Sequence, residues 1–178
     1  MIPSISKEKF TMFKDYLLKQ KNLEMIEIEI RDEFFHQGRV SMEKDSNKII
    51  GAIKKDKKFM EIIQLVGNEY DMKFTIALEK KIDLPDWFDV TKERKVDPTR
   101  LKHRYTFKRI GNEINNNVSI DLSEIRNCDK EEEEAKYEIE LEFVAMEKLW
   151  ANLGDRERTV DLLKDFFRYS QDLLEVLG

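Results

Sequence analysis

The sequence predicts an α+β fold in which an antiparallel β-sheet packs against helices. Two stretches, residues 25–31 and 137–143, alternate acidic and apolar residues. Because successive side chains of a strand point to opposite faces, each stretch would carry carboxylates on one face and apolar side chains on the other. Segments near both ends of the chain instead space their apolar residues three and four positions apart, which is typical of helices.

The first half of the chain is predicted to contain both helices and strands. Ser6 can accept a hydrogen bond from the first turn of a helix, and Gly38 marks a turn between two strands. The predicted elements are a helix over residues 4–20, strands over about 23–31 and 39–43, a second helix over 54–66 and a strand over 72–81.

The second half is predicted to be mainly β-structure. The turn-rich segment 111–117 lies between two alternating stretches and predicts a hairpin. Residues 128–134 predict an exposed acidic loop, and Asp155 can cap a final helix. The predicted elements are strands from beyond residue 98 to about 110, over 118–125 and over 137–143, then a short helix over 144–153 and the final helix after 155.

Ionic side chains of one sign are grouped by strand. The rows are Glu27 and Glu29; Glu138, Glu140 and Glu142; and Arg100, Lys102 and Arg104. An open sheet would expose these rows to water. A closed sheet would instead form a tunnel whose acidic wall could hold a metal ion and whose basic wall could hold phosphate. The pattern alone permits both arrangements.

Composition excludes several classes of function. The 178 residues fit one domain over 1–178, and a net charge of -5 does not suit a nonspecific nucleic-acid coat, which needs a dominant positive surface. Cys128 is the only cysteine, so neither an internal disulfide nor a Cys/His zinc site can form. No apolar run has the length of a membrane span, so we expect a soluble intracellular protein without a membrane partner.

Taken together, the ionic strands resemble those of the triphosphate tunnel metalloenzymes. The order and the residues of these strands are most similar to those of the metal-dependent RNA 5′-triphosphatases of fungal, microsporidian, protozoan and viral mRNA capping. The resemblance covers roughly residues 23 to 143. The motifs that carry the resemblance are Glu27-x-Glu29-x-Arg31, Arg100-x-Lys102-x-Arg104, Asp121-x-Ser123 and the Tyr-Glu-Ile-Glu-Leu-Glu run at 137–142.

The resemblance implies an eight-stranded antiparallel β-barrel, the tunnel, with flanking helices. Glu27, Glu29 and Glu142 would be direct ligands of Mn2+ or Mg2+, ions that prefer hard oxygen ligands. Glu140 and Glu138 would assist through water or by holding basic neighbours.

The resemblance also assigns the substrate site. Lys73, Arg100, Lys102 and Arg104 would grip the triphosphate through charge-assisted hydrogen bonds, with Asp121 and Ser123 supporting the site. The catalytic set would be Glu27, Glu29, Glu140, Glu142, Lys102 and Arg104. The chain departs from the family at two positions. Ser119 stands where the family usually has a basic residue, and Lys73 stands where it usually has an arginine. The candidates for the water-orienting glutamate are Glu79 and Glu93.

The implied activity is removal of the γ-phosphate from the 5′-triphosphate end of nascent mRNA by in-line attack of water, the first step of cap formation. An mRNA guanylyltransferase would be a partner, and homodimerisation is open. The expected location is the nucleus, or a viral or cytoplasmic setting for a chain of viral origin. Two alternatives remain: a triphosphatase of the same fold acting on inorganic triphosphate or free nucleotides, and a noncatalytic β-barrel interaction module.

Overall fold

The computed structural model of the chain describes residues 5–35, 38–63, 72–84, 88, 99–110, 118–128, 134–143, 151 and 154–177. These residues form a seven-stranded sheet and two helices of more than one turn. The helices are α1 (Lys7–Leu18) and α2 (Arg156–Leu177), and the strands are β1 (Leu23–Phe35), β2 (Gly38–Glu43), β3 (Ile49–Ile63), β4 (Met72–Lys81), β5 (Thr99–Arg109), β6 (Val118–Asn127) and β7 (Lys136–Phe143).

The strands lie in the order β4-β3-β2-β1-β5-β6-β7 within the sheet. The ladders of β1 with β2, β2 with β3 and β3 with β4 are antiparallel. Asp32 of β1 lies directly opposite Ser41 of β2, a register that places their side chains on the same face. Strands β5 and β6 are neighbours in the sheet, as the predicted hairpin requires.

The helix predicted over residues 54–66 is wrong, because this part of the chain belongs to β3 as far as Ile63. A register shift between Lys57 and Phe59 interrupts the ladder with β4. The apolar residues that suggested a helix, Phe59, Ile62 and Ile63, follow this shift in a regular part of the ladder. They lie on both faces of the strand, so their spacing lacks the two-residue period and resembles that of a helix. The side chain of Phe59 is 45% exposed, which is not expected of a helix stripe facing a core. Residues 64–66 lie outside the described part of the chain.

The other predicted strands and both terminal helices are confirmed. Strand β1 extends to Phe35, beyond the predicted end at 31. The Oγ of Ser6 accepts a hydrogen bond of 3.2 Å from the backbone N–H of Lys9, and Asp155 Oδ1 accepts one of 3.1 Å from Arg158. Both helices are therefore capped as the sequence predicts. The predicted turn at 111–117 and most of the predicted loop at 128–134 and helix at 144–153 lie outside the described residues.

The chain divides into two compact units, and each has its own apolar core. The first unit comprises Met1–Pro3, Ile28–Arg104 and Glu124–Lys136; the second comprises Ser4–Glu27, Tyr105–Ser123 and Tyr137–Gly178. The core of the first unit is formed by Val40, Met42 and Ala52. The core of the second unit is formed by Phe10, Phe13, Leu17, Tyr105, Phe107 and Leu122. No helix among the described residues is both long and apolar enough to cross a membrane.

Candidate functional site

Three carboxylates converge within the second unit. One oxygen each of Asp121 in β6 and of Glu140 and Glu142 in β7 lie within 4.8 Å of one another. The strand period explains the placement, because Leu122 and Ile139, which flank these positions, belong to or pack against the apolar core. The carboxylates must therefore point to the opposite face of the sheet.

The environment of this acidic cluster changes from buried to exposed across its three members. Asp121 is 2% exposed, Glu140 is half-buried and Glu142 is exposed. Three carboxylates at this separation repel one another unless a cation lies between them. Carboxylate oxygens are the ligands preferred by hard divalent ions, so the donor set fits Mg2+ or Mn2+.

One of the three predicted metal ligands belongs to the acidic cluster. Glu142 belongs to the acidic cluster, together with Asp121, which the resemblance assigned only a supporting role. Glu27 is an exposed residue of β1 and is not part of the cluster that the described residues form. Glu29 lies in the first unit, where its carboxylate is ion-paired with Lys44. The hydrogen bond from Lys44 is the main cause that lowers the pKa of Glu29.

The serines on either side of Asp121 are buried on the same face of β6. Ser119 is 2% exposed and Ser123 is fully buried. The Oγ of Ser123 has no hydrogen-bond partner among the described residues. Ser123 therefore places a polar atom beside Asp121, as the resemblance implies for this position, although its role remains a prediction.

The predicted basic row lies on one face of β5 in the first unit. Lys102 is 4% exposed, and Arg100 and Arg104 are half-buried. Burial of a lysine to this degree is costly unless its charge is compensated, and Lys102 is not without a partner. Lys73 of β4 is also half-buried. The structure thus places all four predicted triphosphate-binding cations on strands of the first unit.

Sequence reasoning missed Asp32, a buried carboxylate of the first unit that organises two arginines. Asp32 is 2% exposed and accepts a hydrogen bond of 2.6 Å from Ser41 Oγ. Arg100 Nη2 donates to Asp32 Oδ2 over 3.0 Å, and Arg39 Nη1 lies 3.6 Å from the same oxygen. The Arg100 guanidinium is also 5.1 Å from the ring centroid of Phe34. The predicted strand ends at residue 31 and therefore does not include Asp32.

The structure describes one of the two candidates for the water-orienting glutamate. Glu79 in β4 forms an ion pair of 3.5 Å with Lys55, and the side chains of both are about half exposed. Glu93 lies outside the described residues. Glu138, on the same face of β7 as Glu140 and Glu142, is half-buried and is not part of the acidic cluster. The water-orienting role stays a prediction.

Comparison with known proteins gives one family and several similar folds. The sequence profile of the family described as the mRNA capping enzyme, β chain, matches residues 3–175. No curated protein matches the chain in sequence.

Among solved structures, the chain is similar to the S. pombe Pct1 RNA triphosphatase, with a TM-score of 0.79 at 15% identity over 97% of this chain and 69% of Pct1. Pct1 in complex with the Spt5 CTD gives a TM-score of 0.77 at 14% identity, over 97% of this chain and 68% of that chain. The Mimivirus capping enzyme triphosphatase gives 0.47 at 14% identity, over 85% of this chain and 84% of that one. The likeness to Pct1 establishes that the two chains share a fold.

Proposed function

The chain belongs to the family of the mRNA capping enzyme β chain, and we propose that it removes the γ-phosphate from the 5′-triphosphate end of nascent mRNA. It is a hydrolase, an RNA 5′-triphosphatase, and this reaction is the first step of cap formation. The observation that carries the proposal is the convergence of Asp121, Glu140 and Glu142 in a chain of this family.

The acidic cluster is proposed to hold the metal ion on which this chemistry depends, Mg2+ or Mn2+. Such an ion would neutralise charge that develops on the phosphate oxygens. Asp121, Glu140 and Glu142 would provide its carboxylate ligands, and Glu27 and Glu29 remain proposed ligands from the resemblance.

The cations of the first unit are proposed to bind the triphosphate. Lys73, Arg100, Lys102 and Arg104 carry positive charge that matches the substrate, and charge-assisted hydrogen bonds to phosphate are strong. Arginine can bind phosphate through two parallel N–H groups, whereas lysine acts as a point charge. The cations would orient the γ-phosphate for in-line attack by a water molecule. Glu79 or Glu93 would orient that water molecule.

Several finer features are also proposals. The sheet would close into an eight-stranded tunnel, and 1–178 would act as one domain, which the family match over 3–175 supports. An mRNA guanylyltransferase would act next on the product, and homodimers are a further proposal. Pct1 has a structure in complex with the Spt5 CTD, and a peptide of that kind is a further proposed partner of this chain. The location would be nuclear, or cytoplasmic for a viral chain.

The test is release of γ-phosphate from 5′-triphosphate RNA by the purified chain, with Mg2+, with Mn2+ and with a chelator. We expect metal-dependent release, faster from RNA than from ATP or inorganic tripolyphosphate. Faster hydrolysis of tripolyphosphate or ATP would favour a triphosphatase of the same fold with another substrate. Absence of release from all three substrates with either metal would favour a noncatalytic interaction module.

Substitution of Lys102 tests whether the basic row participates. Lys102→Ala should reduce kcat/KM for RNA by roughly 10²–10³-fold, because removing one preorganised donor to a charged transition state has an effect of this size. Lys80 is an exposed lysine in β4, so Lys80→Ala serves as the matched control and should retain activity. Equal activity of the two variants would argue against the proposed triphosphate grip.

A further inference from the structure

Asp32, Arg39, Arg100 and Ser41 form a buried polar cluster, the Asp32 cluster, within the first unit. The carboxylate of Asp32 is shared by two guanidinium groups, so these groups together carry a net charge of about +1 at neutral pH. The side chains of Arg39 and Arg100 are 26% and 25% exposed, whereas that of Asp32 is 3% exposed. The excess positive charge therefore lies at the accessible side of the cluster.

Both arginines retain hydrogen-bonding capacity after binding Asp32. A guanidinium group has five N–H donors, and each arginine directs one terminal nitrogen towards Asp32 Oδ2. The Nε atoms of Arg39 and Arg100 are buried and have no hydrogen-bond partner among the described residues. A buried donor without a partner is unfavourable, so an acceptor that reached these atoms would relieve that cost.

The arrangement also limits the mobility of the two side chains. Asp32 accepts from Ser41 through Oδ1 and faces both arginines through Oδ2, so the two oxygens of the carboxylate are divided between these partners. The guanidinium of Arg100 additionally lies against the ring of Phe34. Prior ordering of an arginine reduces the entropy that it loses when it binds an anion.

We propose that Arg39 and Arg100 together bind a phosphate group of the substrate and that Asp32 is the positioning residue for both. This inference rests on the proposed function. It extends it by adding Arg39, on β2, to the phosphate-binding residues and by giving Asp32 a role. The phosphate belongs either to the triphosphate or to the RNA chain, because both present the same acceptor chemistry to an arginine fork.

A purely structural role for the cluster makes a different prediction. An ion pair that only stabilises the fold would affect unfolding, and its loss would leave the affinity of the folded protein for phosphate unchanged. The charge balance favours a ligand, because one carboxylate does not neutralise two guanidinium groups. The experiment must therefore measure affinity separately from stability.

The first measurement is the affinity of the metal-free chain for inorganic tripolyphosphate, by isothermal titration calorimetry at fixed ionic strength. Arg39→Gln should weaken binding by about tenfold or more, since hydrogen bonds between charged groups contribute enough for such a change. Arg39→Lys keeps the charge but loses the fork, so it should weaken binding less. Arg126 is an exposed arginine of the same unit bound to Glu124, and Arg126→Gln should bind as the wild type does.

The second measurement separates the two sources of the phosphate through KM and kcat. A higher KM of Arg39→Gln for both RNA and tripolyphosphate assigns the site to the triphosphate. A higher KM for RNA alone, with wild-type affinity for tripolyphosphate, assigns it to a phosphate of the RNA chain. Wild-type KM for both substrates in folded Arg39→Gln and Arg39→Lys overturns the proposal.

Asp32→Asn tests positioning, because charge alone and geometry alone predict opposite results. The substitution keeps the size of the side chain and an oxygen that can accept from Ser41, but it makes the cluster more positive. Attraction alone would tighten binding of tripolyphosphate, whereas loss of positioning should weaken it severalfold. Tighter binding in this variant would therefore exclude the positioning role.

The failures of the two proposals can be distinguished. A wild-type chain that releases γ-phosphate, with Arg39 variants that behave like it, would overturn only the inference about Arg39. A wild-type chain that binds tripolyphosphate through Arg39 but releases no phosphate from RNA would overturn only the proposed function.

Discussion

Replacing Asp121 with asparagine distinguishes the acidic cluster from the ligand set that the resemblance implies. The family pattern assigns metal binding to Glu27, Glu29 and Glu142, whereas the structure places Asp121 with Glu140 and Glu142. Asparagine preserves the shape of the side chain and removes its charge. If the acidic cluster holds the metal without Glu27, Asp121→Asn should abolish most of the stabilisation that a divalent cation gives, and Glu27→Gln should retain it. If Glu27 is also a ligand, both variants should lose stabilisation.

The expected size of the stabilisation by the metal ion follows from the separation of the carboxylate oxygens. Two unit charges 4.8 Å apart repel by about 3.5 kcal/mol at an effective dielectric constant of about 20 and by about 0.9 kcal/mol in bulk water. Asp121 is buried and Glu142 exposed, so each pair lies between these limits. A cation that removes this repulsion can bind strongly. At a concentration of about 100 times Kd it stabilises the fold by about 2.7 kcal/mol.

The assay is thermal unfolding of the wild type and the variants across a titration of MgCl2 or MnCl2 at constant ionic strength. For a chain of this length, about 2.7 kcal/mol corresponds to an increase in Tm of roughly 5–10 °C. Asp121→Asn should lose most of this increase, and Glu138→Gln, on the same face of β7, should keep it. A full metal response in Asp121→Asn, together with its loss in Glu27→Gln, would refute the assignment to the acidic cluster.

Two further predictions concern the first unit. A Cβ atom on Gly38 would lie 2.3 Å from the carbonyl oxygen of Ile53, so Gly38→Ala should lower the free energy of unfolding by about 1–3 kcal/mol in urea titrations. Gly51 has no atom within 4 Å of that position, so Gly51→Ala should have little effect, and equal costs would contradict the steric argument. Lys44 lowers the pKa of Glu29 below 4.5, so any stability from this pair is present above that pH and is lost as the pH falls through the lowered pKa. The pKa of Glu29 measured by NMR should rise in Lys44→Met, and an unchanged value would exclude Lys44 as the cause.

The strands with an unbroken two-residue period could be predicted from the sequence, because alternation directly reports a surface with one buried face. Residues 137–143 are such a case, and β7 covers them. In β3 the residues that follow the register shift place apolar side chains on both faces of the strand, so the spacing of Phe59, Ile62 and Ile63 fits a helix as well as a strand. Pairing with β4 decides in favour of the strand, because β4 is the strand whose ladder covers residues 54–63, and that information lies in β4 rather than in β3.

The sequence predicts which residue types form the candidate site better than it predicts which residues meet one another there. The sequence identifies Glu140 and Glu142 as facing one side of β7, but it does not say which carboxylate of another strand meets them. Asp121 occupies that position because β6 is the neighbour of β7 in the sheet. Glu27 has the same alternating context, so only strand order and register separate a member of the acidic cluster from an exposed acid.

Asp32 could not be predicted from the sequence for the same reason, because its partners lie on other strands. Sequence alternation places Asp32 on the face of β1 opposite Glu29, where the predicted row of apolar residues ends. A carboxylate buried there would be unfavourable alone, since the cost of removing its charge from water is several kcal/mol. Ser41 and the two arginines compensate for it, and they come from two other strands. Two guanidinium groups contact one carboxylate, so a net positive charge remains after Asp32 is neutralised. A phosphate group of the proposed substrate has the negative charge that would balance it.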